Sequence, residues 1–285
     1  MPRGLLTGAG WLAILLVFFF YYVIVWTPLF SRSGSDKVSI DGDDAPIDAI
    51  VFICMGAWTH TPILEHGVGS LRANGRWAGE VYILTDRDDG WPVMRDEYKA
   101  TVVTVPAKES KLGIHSYKCT MFDYLPSHVH RVMYMDADII VSTSLTSFMT
   151  WLGHALEADR GRNLGLFGDS SGHFWGTCID CDRWHGGVMV ATRGASDPCL
   201  QAWCKEIFSG KYTADQAALD YISENEPVCS GMFMMNPQYL MFMKDYTAVF
   251  LKPAKTFSHV TAAGRLEDQS WFYRCVVRLK LGLRM

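Results

Sequence analysis

"RVMYMDADIIV", residues 131–141, decides how the rest of the chain is read. An apolar run meets two aspartates one residue apart, Asp136 and Asp138, and then resumes as apolar. The acids therefore interrupt a buried segment rather than decorate a surface turn. Two carboxylates held close together away from water are unfavourable unless a cation or a proton compensates them. A divalent ion bound by oxygen ligands answers that cost directly. A phosphatase-type nucleophile pair, or two acids where a strand meets water, are the other readings open to the motif alone. Three further acidic pairs compete with it: Asp41 with Asp43, Asp86 with Asp88, and Asp180 with Asp182. The first lies in a polar linker. The second runs into "DGWP", a turn signal consistent with hydrated acids, and the third sits in a loop containing Cys before a strand.

Working outward, the pattern alternates between short apolar runs and stretches of helical spacing. "IDAIVFICMG" (47–56) reads as a buried strand, and "TPILEHGVGSLRANG" (61–75) as a helix with a glycine stop. "EVYILTD" (80–86) and "ATVVTVP" (100–106) read as two more strands. "GIHSYKCTMFDYLP" (113–126) reads as a helix ended by Pro126, followed by one strand over 131–141. This order predicts an α/β domain with a largely parallel sheet covered by helices on both faces. In such sheets ligands bind beyond the carboxyl ends of the strands, and that is where Asp136 and Asp138 fall.

The whole chain of 285 residues is 49% hydrophobic and 20% charged, enough for one sizeable globular domain. A net charge of −4 and a pI near 6.1 give no electrostatic reason to expect nucleic acid as a partner. After a short tail at 1–10, "WLAILLVFFFYYVIVWTPLF" (11–30) contains no charged residue over 20 positions, the length that spans a bilayer as a helix. It reads as a transmembrane anchor, longer than the apolar core of a signal peptide. The polar, Ser- and Gly-containing stretch 31–46 reads as a stem, and residues 47–285 as the folded domain. Only Arg3 flanks one side of the anchor and Arg32 and Lys37 the other, so charge does not orient it. Eight cysteines are scattered from Cys54 to Cys275, several in apolar runs where a buried thiol is the ordinary explanation, and "CIDC" (178–181) is a lone pair rather than a zinc site. The tail at 270–285 reads as a terminal helix packed on the domain.

"RVMYMDADIIV" closely resembles the Asp-x-Asp strand of the GT-A glycosyltransferases, in particular the glycogenin-like and galactosyltransferase-like enzymes of family eight. Further stretches resemble the family in its own order: "HSYKCTMFDYLP", "NLGLFGDSS", "WHGGVMVATR", "YTADQAALDYI" and "FSHVTAAGR". The resemblance implies a Rossmann-like GT-A domain that binds a UDP-sugar through Mn2+, or Mg2+, and transfers the sugar with retention to a glycan, protein or lipid acceptor. It implies Asp136, Asp138 and His259 as metal ligands. Lys118 would reach the phosphates or donor sugar, with Ala137, Gly264 and Arg265 among the donor-binding residues. Asp169, Asp215, Gln216 and His185 would surround the transferred sugar, Gln216 and Asp215 beneath its anomeric carbon. Trp58 or His60, after the first strand, would stack on uracil. Such anchored enzymes face the Golgi lumen as single-pass type II proteins. Two departures stand out: His185 replaces the family's asparagine, and the closing motif after His259 is respaced, without its lysine.

Plainer roles exist for each residue. Lys118 would be a solvated helix charge, His185 and His259 core histidines, Asp215 a helix-start acid, and Gln216 an exposed neighbour. Two other functions compete with transfer: a haloacid-dehalogenase-type phosphatase, whose Asp-x-Asp should lie near the start of its domain, and a non-catalytic sugar-binding scaffold derived from a transferase.

Overall fold

The computed structural model describes residues 45–56, 59, 63–87, 91–169, 183–242 and 255–260. The apolar run at 11–30, nearly all of the stem, "CIDC" and the chain after residue 260 lie outside the described residues. No helix among the described residues is long and apolar enough to cross a membrane.

The continuous apolar run AIVFI forms strand β1 (Ala49–Ile53), buried at every position, as expected of a strand covered on both faces. Helix α1 (Ile63–Ala73) returns the chain to β2 (Glu80–Thr85), and β3 (Thr101–Thr104) follows. Next come α2 (Lys111–His115) and α3 (Tyr117–Thr120), then β4 (Arg131–Asp136) and β5 (Ile139–Val141). Helix α4 (Thr146–Ala158), β6 (Leu164–Gly168) and β7 (Trp184–Thr192) lead to α5 (Asp197–Ile207) and α6 (Asp215–Asn225). Three short strands close the described chain: β8 (Met232–Met234), β9 (Leu240–Phe242) and β10 (Phe257–His259).

Seven strands form one sheet in the order β3-β2-β1-β4-β7-β6-β8, and β5-β10-β9 form a second. Strands β3, β2, β1 and β4 are parallel, but β7 runs antiparallel to both β4 and β6. The sheet is thus more mixed than the sequence pattern predicts. The reversal has a use: it brings the start of β7, residues 184–187, to the edge where β4 ends.

Side-chain alternation divides the core into two layers. Ile50, Phe52, Met133 and Met135 pack with Leu64, Val68 and Leu71 of α1 and Phe148 and Leu152 of α4. On the opposite face Val51, Ile53, Val132 and Tyr134 pack with Tyr117 of α3, Leu200 and Trp203 of α5, and Leu219 and Ile222 of α6. Asp136 continues the period-two series of Val132 and Tyr134 and so belongs to the second face.

Two expected elements are broken. The stretch 131–141 is two strands, because β4 pairs with β1 and β7 whereas β5 takes β10 as its partner, Ile139 opposite His259. The stretch 113–126 is α2, α3 and a 3-10 turn at Met121–Tyr124. Ser116 lies at the first break. Its hydroxyl donates to the Gly113 carbonyl at 2.6 Å, the kind of local bond that competes with a continuous helix.

Four cysteines whose pairing the sequence leaves open are bonded in two disulfides. Cys119 of α3 is bonded to Cys204 of α5, and Cys199 of α5 to Cys229. Among the described residues Cys54 is free and buried.

Candidate active site

Strand register assembles the site. Asp136 lies level with Ile53 of β1, which lies level with Leu84 of β2, so the carboxyl ends of three parallel strands form one edge. His185 of β7 stands opposite Phe167 of β6 near the same edge, and Asp169 follows directly from β6. The Asp169 amide donates to the Arg183 carbonyl at 2.8 Å, which closes this corner.

Asp136, Ala137 and Asp138 make the turn from one sheet to the other. His259 enters from β10, and its Nε2 lies 2.9 Å from Asp138 Oδ2. Asp136, Asp138 and His259 each present one ligand atom, all within 4.8 Å of one another. Two carboxylates and an imidazole form a mixed oxygen and nitrogen set, chemistry that suits manganese and tolerates magnesium. His259 Nδ1 is buried and hydrogen-bonds nothing among the described residues. These three residues are therefore compatible with a bound divalent ion.

Behind them runs a chain of alternating charge. Lys118 Nζ lies 3.1 Å from Asp136 Oδ1, 3.1 Å from Asp215 Oδ2 and 3.2 Å from the Gly186 carbonyl. His115 Nδ1 lies 2.9 Å from the other Asp215 oxygen, and the Tyr134 hydroxyl donates to Asp136 Oδ1. Lys118 is not the solvated helix charge of the plainer reading: its side chain is 7% exposed. Burial alone would lower its pKa, but Asp136 and Asp215 reverse that and hold it above the ordinary lysine value. Burial would raise Asp215, yet Lys118 and His115 hold it far below the carboxylate range. The same contest at Asp136, burial against Lys118 and Tyr134, ends with a lowered value. Both acids and the lysine are therefore ionised at neutral pH.

The two histidines are driven apart. Burial, seconded by the charge of His259, pulls His185 down to about 3, so its ring is neutral. Burial opposes protonation of His259 as well, but Asp138 outweighs it and raises that pKa. The Gly187 amide donates to His185 Nδ1 at 3.3 Å, which leaves the proton of the neutral ring on Nε2. Phe242 stands edge-on to both rings. Gly187 is required here. A Cβ built on it would lie 2.3 Å from His185 Cε1 and 3.0 Å from Asp136 Oδ2.

Asp215 opens α6, as the plainer reading allowed, but it is also buried, and its carbonyl accepts from Trp203 Nε1 at 3.0 Å. Gln216 follows it and is half-buried. Trp58, His60, Gly264 and Arg265 lie outside the described residues. The sequence reading missed Tyr134 and His115. Tyr134 had a signal, standing two residues before Asp136 and hence on its face. His115 had a weaker one, standing three residues before Lys118. Asp86 also differs from its expected hydrated turn: both of its carboxylate oxygens accept from the Gly56 amide, at 3.1 and 3.2 Å.

Solved structures share this architecture. Mouse xyloside xylosyltransferase 1 in its apo form superposes with a TM-score of 0.51 at 10% identity, covering 79% of this chain and 99% of that one. The galactosyltransferase LgtC in complex with donor and acceptor sugar analogues gives 0.52 at 16% identity, over 83% and 96%. The chain has the fold of solved glycosyltransferases. The glycosyltransferase GlyE of Streptococcus pneumoniae gives 0.55 at 16% identity, covering 82% of this chain but 60% of the longer protein. No protein-family model matches the sequence, and no curated protein is significantly similar to it. At these identities the likeness is one of fold, and the chemistry must be argued from the site.

Proposed function

We propose that this protein transfers a sugar from a nucleoside diphosphate sugar, UDP-linked in the simplest case, to a glycan, protein or lipid acceptor, with retention of configuration. One observation carries the reading: His259, 121 residues away in sequence, is brought to Asp138 beside Asp136 at the carboxyl edge of the sheet. A glycosyltransferase-type fold with a carboxylate and imidazole ligand set at its ligand edge supports a cation-assisted transferase.

Asp136, Asp138 and His259 would hold the cation, manganese or magnesium. When bound there, the ion supplies positive charge to a diphosphate leaving group. Lys118, permanently charged and buried beside Asp136, adds a fixed cation at the same edge without reorganisation during the reaction. Asp215 orients Lys118 and lies with Gln216 at the start of α6, where a carboxylate and an amide would steady positive charge at an anomeric carbon. Asp169 would accept from sugar hydroxyls, and the neutral His185 offers Nε2–H as a donor. Trp58 or His60 would pack on the base, and Gly264 and Arg265 would bind the donor, with Arg265 adding positive charge near the phosphates. None of these roles demands a side-chain nucleophile, and none is assigned.

The apolar run at 11–30 would anchor a domain beginning near residue 47 in an endomembrane, with that domain in the Golgi lumen as a type II protein. The disulfides Cys119–Cys204 and Cys199–Cys229 favour such an oxidising compartment.

The test is metal-dependent release of nucleoside diphosphate from a panel of nucleotide sugars. Activity that chelation abolishes and manganese restores is expected, and its loss in Asp138→Ala with an unchanged melting profile would locate the ion. Hydrolysis of a generic aryl phosphate in its place would favour the phosphatase. Nucleotide binding with no turnover on any acceptor would favour the scaffold.

A further inference from the structure

We propose that the disulfide Cys119–Cys204 is a positioning element of the transfer reaction: together with Trp203 it clamps α5 onto both members of the Lys118–Asp215 pair and so fixes the buried cation of the site. This rests on the transferase reading, which gives that cation its use.

The element that carries Lys118 cannot hold itself. Helix α3 has four residues, and a single turn is not stable in water on its own. The break at Ser116 before it and the 3-10 turn after it deny it the support of a longer helix. Its place is therefore set by what its side chains are tied to. On one side the Tyr117 hydroxyl donates to the Pro106 carbonyl. On the other, Cys119 is buried and bonded to Cys204 of α5, 85 residues on. Lys118 stands between these two tethers, with its ammonium 3.1 Å from both Asp136 and Asp215.

The same stretch of α5 holds the other half of the pair. Trp203, fully buried and next to Cys204, donates its indole N–H to the Asp215 carbonyl at 3.0 Å. Consecutive residues of one helix thus reach the turn that carries the lysine and the residue that carries its carboxylate partner. The second disulfide, Cys199–Cys229, leaves the same helix but ends beyond α6, at the far end of that helix from Asp215. A buried cation assists a leaving group only if its place is set beforehand, since reorganisation during the step cancels what the charge contributes. The covalent bond at Cys119 supplies that preorganisation where a one-turn helix does not.

The experiment compares Cys119→Ala/Cys204→Ala with Cys199→Ala/Cys229→Ala in the full-length chain, at a temperature where circular dichroism shows both folded. Each pair removes one disulfide from α5, so both should lower the melting temperature. Acylation of Lys118 by an amine reagent, read by mass spectrometry, needs neither metal nor donor. It should quicken by about 10-fold or more in the first pair and stay near wild type in the second. Trp203→Phe keeps both disulfides and loses only the indole N–H; it tests the other half of the clamp, and Lys118 should be acylated faster there too. With manganese and a nucleotide sugar, kcat should fall by about 10-fold or more in the first pair, with the acceptor KM unchanged, and remain near wild type in the second. Equal acylation of Lys118 in all these proteins, or equal losses of kcat in the two cysteine pairs, overturns the positioning role and leaves the transferase reading standing. Wild type turning over no nucleotide sugar overturns both.

Discussion

His259 Nε2 lies 2.9 Å from Asp138 Oδ2, so the third candidate ligand is already paired with the second before any ion arrives. An ion must displace the proton that Asp138 keeps on His259, whose pKa is raised chiefly against burial by that carboxylate. Cation affinity should therefore fall as pH drops and the ring becomes fully protonated. Titration of manganese between pH 5 and pH 8 should show this dependence, and Asp138→Asn should reduce metal-dependent turnover by at least about 100-fold.

Lys118 serves two buried carboxylates. Removing it in Lys118→Met leaves Asp215, whose side chain is 8% exposed, with only the His115 ring beside it. Breaking a buried pair by deleting one partner costs about 3 to 5 kcal/mol. Urea denaturation should show a loss near the low end of that range, because Asp136 keeps 26% of its side chain accessible. Asp215→Asn in the same background should restore part of the loss, whereas two independent sites would add.

His185 gives stability a pH slope of known sign. Its folded pKa is depressed to about 3 by burial first and His259 second, with Asp136 and Asp169 pulling the other way. The unfolded ring takes up its proton near 6.5, so the contribution is intact above that pH and is lost as pH falls from about 6.5 toward 3, by up to about 1.4 kcal/mol per unit. The pair of Asp215 with Lys118 acts lower: its carboxyl is depressed, so its contribution is present above about 4 and lost below. Denaturation midpoints from pH 7 to pH 4.5 should decline in wild type, and His185→Asn should flatten that segment.

Gly187→Ala would place a methyl 2.3 Å from His185 Cε1 and 3.0 Å from Asp136 Oδ2. Overpacking of this kind costs about 1 to 3 kcal/mol. The His185 ring would have to move, so donor turnover should fall by more than the change in melting temperature explains.

The disulfide Cys199–Cys229 closes a separation of 30 residues and ties α5 to the turn after α6. Reduction should lower stability by about 2 to 4 kcal/mol. Equal denaturation curves with and without dithiothreitol would contradict it.

What the sequence made legible was whatever depends on local pattern. The buried runs at 49–53 and 80–85 and the helix at 63–73 read directly because apolar spacing encodes them. Asp136 and Asp138 stood out because a buried run cannot tolerate two acids without a reason. The split of 131–141 was not legible, since the partner of β5 is β10, more than a hundred residues on. Nor was the reversal of β7, which the register with β4 and β6 shows but no local spacing encodes. Lys118 illustrates both sides: the resemblance singled it out, yet of its carboxylate neighbours Asp215 lies 97 residues away in sequence, where no local spacing points to it.

The break at Ala137 has a mechanical consequence. Asp136 is anchored in the seven-stranded sheet, while His259 belongs to the three-stranded one. A cation gripping both would act as a rivet across the seam between the layers. Loading should then slow hydrogen exchange at Phe257–His259, far more than at the distant β3, and the degree of that stiffening would report on occupancy without any turnover assay.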